Sequence, residues 1–302
     1  MKILVTGGAG FIGSHLVKAL ADAGHKVVVA DILLRGNKID QETFSKIDFH
    51  KSDVKDIKAM IELSKGCGLI FHFAAVLGVD VVADNPVETM DTEVIGMRNI
   101  TEAALINGID KIIYASTSGI YGHSALNQTV TETISVDPRT SYAIAKRYNE
   151  IYLGALNDEK GLNSISLRFF NVYGPGQDNR MVVPRFIEQA KVNEAITVFG
   201  EGKQTRDFTY IDDAIKSCML LMEHVQGAEI YNIAHEREIN ILELAEAIKK
   251  TFESKSEIKF VEAPKKRYDY EVGRRWGNSE KLFKRINYKP STSLEIGLRK
   301  IS

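Results

Sequence analysis

The stretch that most constrains this chain is Met1–His15, MKILVTGGAGFIGSH. Ile3, Leu4 and Val5 form a continuous apolar run, the pattern of a short strand buried on both faces. A glycine-rich turn follows at once, with Gly7, Gly10 and Gly13 three residues apart and Gly8 completing a second pattern, G-x-G-x-x-G. Phe11, Ile12, His15, Leu16, Ala19 and Leu20 then recur at helical spacing. Strand, tight turn and helix start together make a cradle for a dinucleotide pyrophosphate. Glycine permits the turn, lets the backbone approach the phosphates and leaves room for helix–sheet packing. The unpaired N–H groups and positive dipole end of the helix then face the anion. Gly7, Gly10, Phe11, Ile12 and Gly13 form the expected contact set. Glycine turns also serve purely structural ends, so the flanks supply the specificity. The decisive flank is Asp31, which closes a second apolar run, Lys26–Ala30. A carboxylate there accepts hydrogen bonds from the ribose hydroxyls and repels a 2′-phosphate, which favours NAD over NADP.

The remaining bulk properties exclude more than they assert. At 302 residues the chain is long enough for two domains, or for one α/β domain with an appended lobe. A formal net charge of -1 gives no electrostatic pointer to nucleic acid or an anionic membrane, and neither is expected as a partner. Two cysteines, Cys67 and Cys218, are too few and too scattered for a disulfide framework or a zinc site, and no metal is expected. Met1 leads straight into the buried strand, so no signal peptide is expected, and no apolar stretch approaches the roughly 20 residues of a membrane span. The expected location is cytoplasmic.

Along the chain, 32–47 reads as a loop with a short helix, and Asp48–Asp53 as a third strand. Asp53 and Val54 fall beside the expected adenine pocket, where a short acid and an apolar neighbour can hold the base edge. Asp53 also suits the N-cap of a helix over 54–65. A fourth strand, Leu69–Phe73, runs into Ala74 and Ala75, small residues that let a cofactor lie close to a strand's carboxyl end. Asn85-Pro86 precedes a long helix over 87–107. A fifth strand, Lys111–Ala115, leads into a hydroxyl cluster, Ser116-Thr117-Ser118.

Next comes Ser141-Tyr142-Ala143-Ile144-Ala145-Lys146, placed at a helix start. Residues four apart share a helix face, so the lysine ammonium falls near the tyrosine ring. A phenol with an ordinary pKa of about 10 serves as a base at neutral pH only if that value drops, and a nearby cation pushes it down. Common as Y-x-x-x-K is on helix surfaces, the upstream hydroxyls and glycine turn give it meaning here. A sixth strand, Asn163–Phe169, ends the regular alternation of strands and helices, so the domain boundary is placed at 170. The first domain is then 1–170 and a smaller α/β lobe 171–302, with part of 205–225 returning to the first. The lobe carries Pro184–Asn193 as helix, Ala195–Phe199 and Ile230–Ile233 as strands, and Ile241–Phe252 as an amphipathic helix. Lys265, Lys266, Arg267, Arg274 and Arg275 form a basic stretch that suits a clamp on a phosphorylated substrate.

Taken in order, T-G-G-A-G-F-I-G-S-H, Asp31, Asp53-Val54, H-F-A-A, S-T-S-G-I-Y-G, S-Y-A-I-A-K, R-F-F-N-V-Y-G-P-G and R-D-F-T-Y-I-D-D resemble the extended short-chain dehydrogenase/reductase family, in its nucleotide-sugar epimerase/dehydratase branch. The resemblance covers essentially the whole chain. It implies a Rossmann doubly wound parallel sheet, NAD, a C-terminal lobe for a nucleoside diphosphate sugar (UDP by family expectation) and a homodimer built on a four-helix bundle. Carried over, Tyr142 is the base that takes a sugar hydroxyl proton, Lys146 lowers its pKa and holds the nicotinamide ribose, and Thr117 hydrogen-bonds the reacting oxygen. Asn171 and Arg206 match diphosphate contacts, and Arg267 or Arg275 a second basic ligand. The sugar pocket draws on Val76–Asp80, on Val183 within Met181–Pro184, and on Thr117 and Ser118.

The triplet after the fifth strand bears on the reaction. Related 4,6-dehydratases resemble T-D-E there, and decarboxylases that make UDP-xylose resemble T-S-E, whereas this chain has Thr117-Ser118-Gly119. With no carboxylate added, the simplest chemistry is oxidation at C4, turning of the keto sugar, and re-reduction from the other face: a UDP-sugar 4-epimerase. A dehydratase or a 4-keto sugar reductase of the same family is the alternative. A dinucleotide sensor without catalysis is a different class, expected to lose the tyrosine or the lysine. One departure stands out: where the family has N-x-x-G-T, this chain has Glu93 and Met97. The expectation is that Glu93 alters support at the cofactor end and leaves the Tyr–Lys–Thr set untouched.

Overall fold

A computed structural model describes residues 1–76, 82, 84–262 and 273–301. Arg267, with Lys265, Lys266 and residues 77–80, lies outside the described residues. The strands are β1 (Lys2–Thr6), β2 (Lys26–Asp31), β3 (Asp48–Lys51), β4 (Leu69–His72), β5 (Lys111–Thr117), β6 (Asn163–Phe169), β7 (Asn171–Tyr173), β8 (Ile196–Phe199), β9 (Thr205–Tyr210), β10 (Ala228–Ile233), β11 (Glu238–Asn240) and β12 (Ile258–Val261). The large sheet runs β10-β6-β5-β4-β1-β2-β3, with every pairing parallel. This is the doubly wound order, with its switch point between β1 and β4, where ligands enter at the carboxyl ends of the strands.

The apolar runs form this sheet because it is covered on both faces. Successive side chains of a strand point to opposite sides, so a run without alternation feeds two cores at once. Ile3, Val5, Val27, Val29, Leu69 and Phe71 join the core on one face, while Leu4, Val28, Ile70, Ile112 and Tyr114 join that on the other. On the first face lies α1 (Phe11–Asp22), packed against α8 (Ile211–Leu221). The opposite face carries α3 (Ile57–Ser64), a helix that begins as α4 (Pro86–Met90) and continues as α5 (Gly96–Ile106), and the 20-residue α6 (Ser141–Lys160). A five-residue π turn, Asp91–Ile95, separates α4 from α5. The short α2 (Gln41–Phe44) precedes β3.

Two smaller sheets, β11-β9-β7 and β12-β8, form outside the large one, and α7 (Val182–Lys191), α9 (Ile241–Thr251) and α11 (Leu294–Arg299) lie with them, while α10 (Glu280–Ile286) packs on β10. Crossing back into the first domain takes more chain than 205–225. After α8 packs on α1, β10 continues the return as the edge strand beside β6, at 228–233. One core cluster accordingly runs from Ile3 and Leu16 through Phe186 and Ile248 to Leu298.

Two local expectations change. Asp53 is not the N-cap of the following helix. Its Oδ1 accepts the Lys55 N–H at 2.9 Å in a turn, and Asp56 caps α3 by accepting from the N–H of Lys58 and Ala59. Two adjacent acids compete for the same helix end, and the one within reach of the first-turn amides takes it. Arg274, read as part of a substrate clamp, instead donates to Glu238 at 2.5 and 2.8 Å and stacks on Trp276.

Asp207, in the R-D-F run, knots the lobe. Fully buried on β9, it accepts the backbone N–H of His235 at 2.9 Å, Glu236 at 3.0 Å and Gly277 at 3.2 Å. Burial outweighs those three donors and raises its pKa to about 7. The native carboxyl therefore keeps its proton to a higher pH than the unfolded one. Unfolding releases that proton between the two values, so this group's contribution to stability falls as pH rises toward 7. Asp207→Asn should flatten that part of the stability–pH curve. By setting an amide N–H against backbone donors it should also cost about 1–3 kcal/mol, both read by denaturant titration across the acid-to-neutral range.

Candidate active site

The site lies at the carboxyl ends of β1, β2, β4 and β5. The backbone passes from β1 into a turn in which Gly7 has φ +69° and Gly10 N–H donates to Gly7 O at 3.2 Å. A Cβ at Gly7 would stand 2.5 Å from the Ala74 nitrogen, and one at Gly13 would stand 2.1 Å from Gly7 O. The turn is thus pressed against the end of β4 on one side and against α1 on the other. Ser14 N–H makes the first helical bond, to Gly10 O at 2.9 Å, and Gly10 caps the helix without a side chain. The Phe11, Ile12 and Gly13 amides are the first-turn donors of a helix aimed at an anion. Asp31 closes β2, its Oδ2 accepting Ala9 N–H at 2.9 Å and its Oδ1 Leu33 N–H at 2.7 Å. These bonds hold the carboxylate beside the turn and leave lone pairs on both oxygens for ribose hydroxyls. Ala74 and Ala75 follow β4 and are partly exposed. Val54 is buried, with its carbonyl accepting from Asn99 at 2.9 Å. The residues present fit a dinucleotide.

On the other side of this cleft stands α6, capped by Thr140, whose side chain accepts Ala143 N–H. Tyr142 sits in its first turn, partly exposed, and Lys146 one turn on, fully buried. The Lys146 Nζ lies 5.3 Å from the centre of the Tyr142 ring. Thr117, the last residue of β5, accepts Gly119 N–H at 3.1 Å, and its hydroxyl is near enough to the Tyr142 phenol to favour the phenolate. Tyr142, Lys146 and Thr117 are therefore brought together. Ser118, the next residue, is buried at the start of a 3-10 turn.

The electrostatics differ from the expectation. Lys146 Nζ is 3.0 Å from Glu93 Oε2, and both side chains are completely buried. Glu93 thus does touch the Tyr–Lys–Thr set. Loss of water around its hydroxyl pushes the Tyr142 pKa up, the Glu93 carboxylate adds to the rise, and the Thr117 hydroxyl only partly opposes both. The charge of Lys146, foreseen as the group that lowers the phenol's pKa, is met by a carboxylate oxygen at 3.0 Å, against 5.3 Å to the centre of the tyrosine ring. The signal was in the chain, as the departure from N-x-x-G-T at Glu93, but only packing shows that it reaches Lys146.

In the lobe, Asn171 starts β7 and pairs in register with Phe208 of β9, two residues from Arg206. That offset puts Asn171 and Arg206 on the same face of the small sheet. Arg206 is 8% exposed and donates to Thr205 O at 2.7 Å. Val183 is 2% exposed, its side chain in the lobe's core, so what it offers a ligand is a first-turn backbone N–H of α7. Arg275 is partly buried beside Trp276.

A doubly wound sheet with an anion cradle at its switch point and a Tyr–Lys–Thr set across the cleft defines a dinucleotide-dependent enzyme. The chain belongs to the NAD-dependent epimerase/dehydratase family, matching it over residues 3–234. It is 37% identical to a UDP-N-acetyl-alpha-D-glucosaminuronate decarboxylase of Bacillus cytotoxicus, over 99% of this chain and 95% of that one. The structure of a UDP-glucose 4-epimerase from Thermotoga maritima with UDP-glucose superposes with a TM-score of 0.91 at 33% identity, covering 100% of this chain and 97% of the other. That of a Thermus thermophilus UDP-glucose 4-epimerase in complex with NAD gives 0.90 at 29%, again over 100% and 97%. NAD is the cofactor, and the family's activities are epimerization, dehydration and decarboxylation of nucleotide sugars. Among the described residues no group of acids, histidines and cysteines could hold a metal ion, and no helix is long and apolar enough to cross a membrane. Gly13→Ala should lower NAD affinity at least about tenfold, because the new methyl displaces the backbone that meets the pyrophosphate, as measured by calorimetric titration.

Proposed function

We propose that the protein is a UDP-sugar 4-epimerase. The observation that carries this reading is the end of β5. Thr117 faces Tyr142, Ser118 is buried, and the next residue is Gly119, whose N–H is turned back onto Thr117. The set holds a base and a hydrogen-bond donor, without the carboxylate that the family resemblance implies for elimination at this triplet. Bound NAD would supply the hydride acceptor for this oxidation and the donor for the reduction, with no net consumption. Tyr142 takes the proton of the C4 hydroxyl as the carbon is oxidised, and Thr117 hydrogen-bonds that oxygen. The keto sugar turns over, and Tyr142 gives the proton back as the opposite face is reduced. Asn171, Val183, Arg206 and Arg275 hold the diphosphate and sugar from the lobe. A cytoplasmic location, with NAD and nucleotide sugars at hand, is part of the proposal.

The identity to the Bacillus cytotoxicus decarboxylase favours a second reading, in which a uronate substrate loses carbon dioxide after the same C4 oxidation. Anomeric-proton NMR with UDP-glucose, UDP-GlcNAc and UDP-glucuronate separates the outcomes. A mixture of one substrate with its C4 epimer supports the epimerase. A pentose product points to decarboxylation, and a stable keto or unsaturated sugar to elimination. Tyr142→Phe should lower the rate by about a hundredfold or more in each case.

A homodimer is part of the proposal. Ile144, Tyr148 and Ile151 are 47%, 42% and 58% exposed and fall at i, i+4 and i+7 on one face of α6. An apolar stripe of that kind favours burial against a second copy. The wild type should sediment as a dimer and Ile151→Glu as a monomer.

A further inference from the structure

We propose that Glu93 is a positioning residue that cancels the charge of Lys146 beneath the site, so that Tyr142 loses its proton at a higher pH than it would beside an unopposed lysine. This rests on the role assigned to Tyr142 above.

The argument begins with the backbone. Glu93 is the middle residue of the π turn Asp91–Ile95, whose wider ring offsets the helix on either side and turns residues away from ordinary α-helical positions. The turn delivers a carboxylate, completely buried, under the first two turns of α6. Its Oε2 lies 3.0 Å from Lys146 Nζ, and the Tyr114 hydroxyl donates to the same oxygen at 3.4 Å. Asn149 Nδ2 locks the arrangement, donating to the Glu93 carbonyl at 3.1 Å and to the Tyr114 hydroxyl at 2.9 Å. Lys146 Nζ is meanwhile 4.7 Å from the Tyr114 ring centre and 5.3 Å from that of Tyr142.

The other charged groups packed here are already matched. Glu150, one turn beyond Lys146 on α6, is held by Arg168 of β6 through two bonds of 2.9 and 2.8 Å, by Arg147 at 3.0 Å and by the Ser116 hydroxyl at 2.6 Å. His72 of β4 stacks on Tyr114 and bonds Thr6, and burial with the nearby Lys146 charge lowers its pKa to about 3, so it is neutral. The balance at Tyr142 is therefore set by Lys146 and Glu93. Burial moves both toward their neutral forms, raising the acid and lowering the base. If the shared proton sits on nitrogen the pair is an ion pair, and if on oxygen it is a neutral acid and amine. Its net charge is zero either way. A neutral amide at 93 would leave the Lys146 ammonium, as long as it holds its proton, near the phenol with no carboxylate beside it.

The test compares wild type, Glu93→Gln, Glu93→Asn and Glu93→Asp as NAD-loaded enzymes, by two measurements. One is the pH dependence of kcat/KM. The other needs no turnover: titration of the Tyr142 ring by 13C NMR of tyrosine labelled at Cζ, the resonance being assigned with Tyr142→Phe. Glu93→Gln and Glu93→Asn should lower the Tyr142 titration and the acid limb of kcat/KM by about one pH unit or more, and Glu93→Asp should restore the wild-type values. If the amide variants fold with wild-type thermal unfolding and titrate Tyr142 where the wild type does, the proposal is overturned. A shift in Glu93→Asp equal to that of the amides also overturns it, since packing rather than charge would then be at work. If no sugar is turned over, the epimerase reading fails while the ring titration still decides the role of Glu93.

Discussion

The long helix α6 carries both Tyr142 and Lys146, and two buried ion pairs fix it, one to β6 and one to the π turn. Arg168, buried on β6, grips Glu150 with two parallel hydrogen bonds and adds a third bond to the Tyr121 hydroxyl. One turn earlier, Lys146 meets Glu93. Removing one partner of a buried pair typically costs about 3–5 kcal/mol, because the other charge is left without compensation. The depth and rotation of α6 are thus set by groups that tolerate little displacement. The position of the Tyr142 phenol over Thr117 is a consequence of that docking.

Across the cleft the controlling constraint is steric. The glycine turn, the start of α1 and the end of β4 occupy one another's side-chain space, as the Gly7 and Gly13 approaches show. This closeness brings first-turn amides, the Asp31 carboxylate and the small residues Ala74 and Ala75 to one edge of the sheet. The cradle and the helix then face each other, and Asn171 and Arg206 share a face of the small sheet.

Much of this was legible from residue order. Apolar runs without alternation identified parallel buried strands, and the sixth strand falls at Asn163–Phe169 as read. Tyr142 and Lys146 share a helix face because four residues make about one turn. Other features depended on which of several equivalent groups wins. Asp53 and Asp56 are both good helix caps, and only the path of the chain after β3 favours Asp56. Arg274 and Arg275 are adjacent cations, and contact with Glu238 and Trp276 assigns Arg274 to the fold. Val183, apolar at a helix start, proved to be core. The edge strand β10 has a mixed pattern, since one side of it lacks a neighbouring strand, and so its place in the large sheet was not evident.

The sequence by itself determined the fold class, the cofactor cradle and the pairing of Tyr142 with Lys146, since all three depend on local geometry: the period of a strand, the freedom of glycine, the pitch of a helix. Only the tertiary structure decided the charge around that pair. Glu93 and Lys146 are 53 positions apart, and whether a carboxylate meets an ammonium depends on a π turn and on the docking of two helices across one sheet face. Coulomb energy at such a contact depends on distance and burial, neither of which is written in residue order.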